Sequence, residues 1–146
     1  MRKPASIARF ERLYAAAMLC GAVSVALIWP HWEVSLAYWP ALSNLPWLLP
    51  LVPAVWFSAR LALWYFAARR ATVAAKWGLV LSAGVAFGLL LLGVTALIVD
   101  AAPSIIATIA GIGAGVLHVM AAAYLFRRDA RLWFGEVVHG EGGLER

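Results

Sequence analysis

WGLVLSAGVAFGLLLLGVTALIV, residues Trp77 to Val99, runs from Lys76 to Asp100 without one ionisable side chain. As a helix it would extend roughly 35 Å, enough to cross the hydrocarbon core of a bilayer. Working outward, three more runs of the same character lie near residues 13–29, 47–68 and 104–126. Four spans, at about 13–29, 47–68, 77–99 and 104–126, are therefore expected. They predict an all-α, four-helix transmembrane bundle with antiparallel neighbours.

Composition leads to the same class. Of 146 residues, 64% are hydrophobic and 13% charged, with a mean hydropathy of +0.85. Soluble domains carry about 25% charged residues. The spans and their links form one membrane domain over residues 1–134, which leaves no length for a soluble catalytic domain. Residues 135–146 are polar and Gly-rich and are expected to be a disordered tail.

Charge sets the expected orientation. Eleven of the twelve Lys and Arg residues lie before the first run, between the second and third, or after the fourth. The links after the first and third runs hold none. Basic flanks stay on the cytoplasmic face, which predicts both termini inside and a plasma-membrane (inner-membrane) location. This asymmetry also explains the net charge of +5, so membrane lipids are expected partners and nucleic acid is not. Met1-Arg2-Lys3 opens like a signal peptide, but the apolar stretch that follows is longer than a signal core and Pro30-His31-Trp32 offers no cleavage site. The first run is expected to remain a span. Cys20 lies within it, so no intramolecular disulfide is expected.

Local signals refine the picture. Ser6 is a candidate cap for a surface helix on which Ile7 and Phe10 share a face, with Arg9 and Arg12 toward lipid phosphates. Tyr14, Ala17, Gly21 and Ser24 form a stripe of mostly small residues suited to helix packing. The link from Pro30 to Pro46 is expected to lie outside. Trp29, Trp32, Trp39 and Trp47, with Tyr38, read as an aromatic belt there, and Trp77 and Trp133 as anchors at the inner interface. Pro50 and Pro53 suit a helix entrance, where a missing N–H costs least. Gly84 and Gly88 on the third span answer Gly111 and Gly115 on the fourth. Counted from the cytoplasmic ends, Gly88 and Gly115 share one depth and are expected to touch. After the fourth span, Arg127 to Phe134 should continue as an interfacial helix with Trp133 and Phe134 among the headgroups.

Two ionisable residues fall within the spans, and such residues are candidates for function. Arg60 and His118 each precede a basic flank by nine residues, which sets both at about 13 Å depth. Trp56 and Trp64, one turn to either side, are rings on which Arg60 can stack. His118 shares the stripe of Gly111, Gly115 and Ala122 and so faces protein. A polar site for a small anion or an anionic headgroup would comprise Arg60, His118, Tyr14, Ser24 and Tyr65. The plainer alternative is one stacked arginine and one histidine bonded to a backbone carbonyl.

Several chemistries are excluded. All seven carboxylates lie at span ends or beyond them, so proton-coupled antiport through a membrane Asp or Glu lacks its proton carrier. His31, His118 and His139 do not suit a zinc site, no serine has a histidine and an acid at its depth, and no phosphate-cradling glycine loop occurs. No catalytic residue, metal or cofactor is expected, and the chain does not read as an enzyme.

Three stretches carry a resemblance. They are Pro4 to Tyr14 (PASIARFERLY), Ala68-Arg69-Arg70 followed by Ala75-Lys76-Trp77, and Tyr124 to Phe134 (YLFRRDARLWF). In these the chain resembles small four-span bacterial inner-membrane proteins of uncharacterised function. The resemblance implies a bacterial plasma-membrane location and no activity. The leading functional expectation is a non-enzymatic protein that packs with itself, as a homo-oligomer, or with a larger membrane partner. The alternative is a small transporter, channel, or lipid- or anion-binding protein that uses the level of Arg60 and His118.

Overall fold

The computed structural model describes residues 3–37, 45 and 47–136. Among these residues five helices follow in order: α1 (Ala5–Ala37), α2 (Leu48–Arg70), α3 (Val73–Ile98), α4 (Ile105–Tyr124) and α5 (Arg128–Trp133). The first four are long and apolar enough to cross a membrane. The protein is thus a multi-pass membrane protein built as a four-helix bundle. Trp39, Tyr38, Pro40 and the tail beyond Glu136 lie outside the described residues.

The helices start and stop for local reasons. Pro50 sits in the first turn of α2, where its absent N–H breaks nothing, and Pro53 follows one turn later. Arg69 and Arg70 end α2, favourably placed for its dipole. Ala71 then takes a left-handed conformation (φ 51°), and its N–H reaches back to the Phe66 carbonyl. Only Ala71 and Thr72 separate α2 from α3, which makes the pair an antiparallel hairpin. At the opposite end, the Ser104 side chain accepts from the Ala107 N–H and caps α4.

α1 is longer than expected and continues through Pro30. A proline inside a helix removes one backbone bond, and here the helix bears that loss rather than ending. Trp29 and Trp32 lie beside each other on it, ring centroids 6.4 Å apart. The segment from Pro4 to Arg12 is likewise the first turns of the same helix rather than a separate surface piece.

Around the bundle, α1 packs on α4, α4 on α3, α3 on α2, and α2 more lightly on α1. The α1–α4 seam is the most extensive. Gly21 lies against Ala114, and Ser24 against Gly111. The Ser24 hydroxyl donates to the Ala107 carbonyl at 2.8 Å. Helix-facing positions are mainly small, among them Ala67, Ala75, Ala83, Ala86, Ala107 and Ala121. Large residues such as Leu81, Leu92, Ile98 and Ile106 face outward, where lipid is the solvent.

Gly115 and Gly88 do not touch. A Cβ on Gly115 would lie 2.9 Å from Leu90 Cβ and 3.1 Å from the Ala86 carbonyl, while Gly84 and Gly88 have nothing within 4 Å. The expected depth holds, since residues 86 and 90 flank 88. The helix face differs: α3 presents Ala86, Leu90 and Gly93 to α4, and turns Gly84 and Gly88 outward.

Gly115→Ala should lower stability by about 1–3 kcal/mol, because the backbone contact cannot yield. Gly88→Ala should leave stability unchanged or raise it by roughly 0.5–1 kcal/mol through helix propensity. Denaturation in mixed micelles compares the two. The reverse ranking would move the α3–α4 seam to the Gly88 face.

Candidate functional site

The ends of the bundle differ. The end that holds the start of α1 and the α2–α3 link contains the hydrophobic core, with Ile7, Phe10, Tyr14, Ala67, Ala68, Leu79, Leu125 and Phe134 packed together. α5 closes this basic end. Phe134, expected among the headgroups, is buried against the core, and Trp133 Nε1 donates to the Ala67 carbonyl at 3.3 Å. Asp129 Oδ2 accepts the Ser6 backbone N–H at 3.0 Å. The expected cap, Ser6, is thus itself capped, because a first-turn N–H without a helical partner is best met by a carboxylate.

Lys76 completes this clasp. It is 1% exposed, and its Nζ lies 2.6 Å from Glu136 Oε1. It also stands over the rings of Phe126 and Phe134, at 4.8 and 5.5 Å. Glu136 bonds Arg131 as well, at 3.4 Å. The bond from Lys76 holds the Glu136 carboxyl below its ordinary 4.5, and the Ser6 N–H holds Asp129 below its ordinary 3.8. Both values are depressed in the folded state, so this stabilisation is complete above the ordinary carboxylate range and is lost as pH falls through the lowered values.

Above the clasp, three of the expected residues meet. The Arg60 guanidinium lies 4.4 Å over the Trp56 ring, and Nη2 donates to the Ser82 carbonyl at 3.4 Å. The Tyr14 hydroxyl donates to the Arg60 carbonyl at 3.2 Å and so ties α1 to α2. The Tyr14 ring meets His118 edge-on, with centroids 4.8 Å apart. His118 Nδ1 lies 3.1 Å from the Ala114 carbonyl. Because a carbonyl only accepts, Nδ1 carries the proton, which leaves Nε2 as an acceptor in the neutral ring. Nε2 of His118 and Nε of Arg60 are both buried and, among the described residues, have no hydrogen-bond partner.

These side chains border a cavity of about 310 Å³ that all four spans line. Arg60 and His118 supply its charged and aromatic-polar groups, Ser24 and Thr108 lie along it, and Val25, Ile28, Leu89 and Ile112 make it largely apolar. Ser24 spends its hydroxyl on Ala107. Tyr65 is not part of the site; it is 45% exposed on the outside of α2, against Phe66. Trp64 packs against the basic-end core rather than on Arg60. Ser82, which the sequence reading missed, supplies the carbonyl that Arg60 reaches. Its one available signal is its place on the Ala86 stripe, one turn earlier.

A second, open hollow of about 550 Å³ lies between α1 and α2 and shares Val25 and Phe57 with the first. Among the described residues, no three of His, Cys, Asp and Glu gather closely enough to hold a metal ion. No family model, curated protein or solved structure matches the chain.

Acidification should loosen the clasp: thermal stability in mild detergent is expected to fall as pH drops from 6 to 3. Glu136→Gln should cost about 2 kcal/mol at neutral pH, by leaving the buried Lys76 ammonium without its counter-charge. It should also flatten part of the acid dependence. A Glu136→Gln protein as stable as the parent at pH 6 would show that α5 closes the bundle without this pair.

Proposed function

We propose that this bundle binds the anionic group of an amphipathic molecule within the membrane, at Arg60 beside His118. One observation carries the reading: the Arg60 cation is 8% exposed and, among the described residues, has no carboxylate partner. An unpaired ion in a low-dielectric interior costs several kcal/mol. A stacked indole and one long bond to a carbonyl offset only part of that cost. A bound carboxylate or phosphate would supply the missing counter-charge through a forked bond to the guanidinium.

The polar groups suit recognition rather than catalysis. His118 and Tyr14 each bond a backbone carbonyl, and the hydroxyls of Ser24 and Thr108 that line the cavity are donated to the Ala107 and Ser104 carbonyls. The role is therefore that of a non-enzymatic binding protein. Its basic end faces the cytoplasm, in keeping with the positive-inside rule, and the membrane is a bacterial plasma membrane, in keeping with the resemblance of its basic-aromatic helix ends.

A second reading rests on Gly84 and Gly88. They lie open on α3, on a face with the exposed Leu81 and Leu92. Small residues so placed admit a further helix at close range, which suits self-association or a larger membrane partner.

Arg60→Gln separates the readings. The parent purified in mild detergent should retain an anionic amphiphile, and the variant should lose it by at least tenfold while melting no lower than the emptied parent. Extraction and mass spectrometry of the bound small molecules measures this. Equal retention by both proteins would remove Arg60 from any binding role.

A further inference from the structure

We propose that the anion is the carboxylate of a single-chain amphiphile, a free fatty acid, whose chain lies in the crevice between α1 and α2 and arrives sideways from the bilayer. The inference rests on the Arg60 reading and adds the ligand's class and its route.

Continuity is the first argument. Val25 and Phe57 line both the Arg60 cavity and the open hollow between α1 and α2. The side chains of Val25 and Phe57 are therefore the partition between a head at Arg60 and the open hollow at that seam, and their rotation would join the two. The seam is also the lightest in the ring of helices. The Tyr14 hydroxyl crosses it to the Arg60 carbonyl on the basic side of the cavity, away from the hollow.

The wall chemistry matches a hydrocarbon chain. Ala22, Ala26, Pro30, Pro53 and Ala54 line the hollow with Val25, Phe57 and Trp29, so its walls are apolar apart from the indole N–H. From Arg60 to Pro53 the helix rises about 10 Å, and from Gly21, at the Phe57 level, to Trp29 about 12 Å. That holds the head-proximal half of a palmitoyl chain, and the open mouth of the hollow lets the remainder pass into lipid.

Depth selects the headgroup. Arg60 lies about 13 Å in from its basic flank at Arg69. A phospholipid would have to draw its phosphate, glycerol and second chain that far out of the interface. A fatty acid has no polar group beyond the carboxyl, so it loses least hydration on reaching Arg60. The inner cavity, at about 310 Å³, is near the lower end of ligand pockets (about 300–1,000 Å³). It accommodates one chain more readily than two.

Photo-crosslinking of the full chain in vesicles of neutral lipid, with a diazirine-bearing palmitate as probe, tests the proposal. Labelled peptides should map to residues 22–29 and 53–57. Unlabelled palmitate should compete the label away, and methyl palmitate, which lacks the charge, should not. Ala54→Trp, which fills the crevice and leaves Arg60 in place, should cut labelling at least tenfold. Label spread over the outward faces of α3 and α4 in the parent, or competed equally by the methyl ester, would overturn the proposal whether or not the tryptophan variant folds. If the parent instead retains an anionic phospholipid that Arg60→Gln loses, while palmitate does not label the crevice, the fatty-acid assignment fails and the Arg60 reading stands. Equal crevice labelling of parent and Arg60→Gln would sink both.

Discussion

Close approach of helix backbones is the constraint on which this molecule depends. In hydrocarbon, apolar side chains gain little by leaving lipid for one another, so spans associate through packing at short range and through interhelical hydrogen bonds. The seams here follow that logic. Gly115 lets α4 settle onto the Ala86 carbonyl of α3. Ser24 reaches across from α1 to a backbone carbonyl of α4 at 2.8 Å. Alanine fills most remaining helix-facing positions, while the bulky leucines and isoleucines remain in contact with lipid. Substituting larger side chains at the seams would separate the helices and also deprive the cavity of its walls.

The bundle is consequently asymmetric along its axis. At the basic end α5 folds underneath and brings aromatic rings, two carboxylates and Lys76 into one clasp. Farther along, all four spans line the cavity beside Arg60 and His118, and the α1–α2 side carries the open hollow. Tyr14 lies where the two regions meet, holding Arg60 through its carbonyl and supporting His118 through its ring. The tight end supplies rigidity, and the looser region supplies volume.

Span number and position were legible because length and hydropathy are sufficient to identify a membrane helix. Depth was legible too, by counting residues from basic flanks: Arg60 and His118 do line one cavity, and Gly115 does lie level with residue 88. Rotation about the helix axis was not. α3 is apolar on every face, so no polar stripe marks its outside, and Gly84-xxx-Gly88 competes on equal terms with Ala86 and Gly93 for the inner face. Tyr65 was misplaced for the same reason. Lys76 shows a different limit. A lysine beside a span reads as a headgroup anchor, and only the folding back of α5 brings Glu136 close enough to draw it inward. Pro30 was read as an end because proline usually breaks helices, although a long helix tolerates the loss of one bond.

The principal neighbour of α1 is α4, made after the two spans between them. The hydroxyl of Ser24 waits for the carbonyl of a residue 83 positions later. At ribosomal speeds of about 5–20 residues per second, that separation amounts to roughly 4–17 s of synthesis. Through this interval the opening helix must persist in lipid with its polar atoms unmatched, or be sheltered by the insertion machinery. Assembly is thereby timed by translation: the earliest segment to be inserted is among the last to find its place.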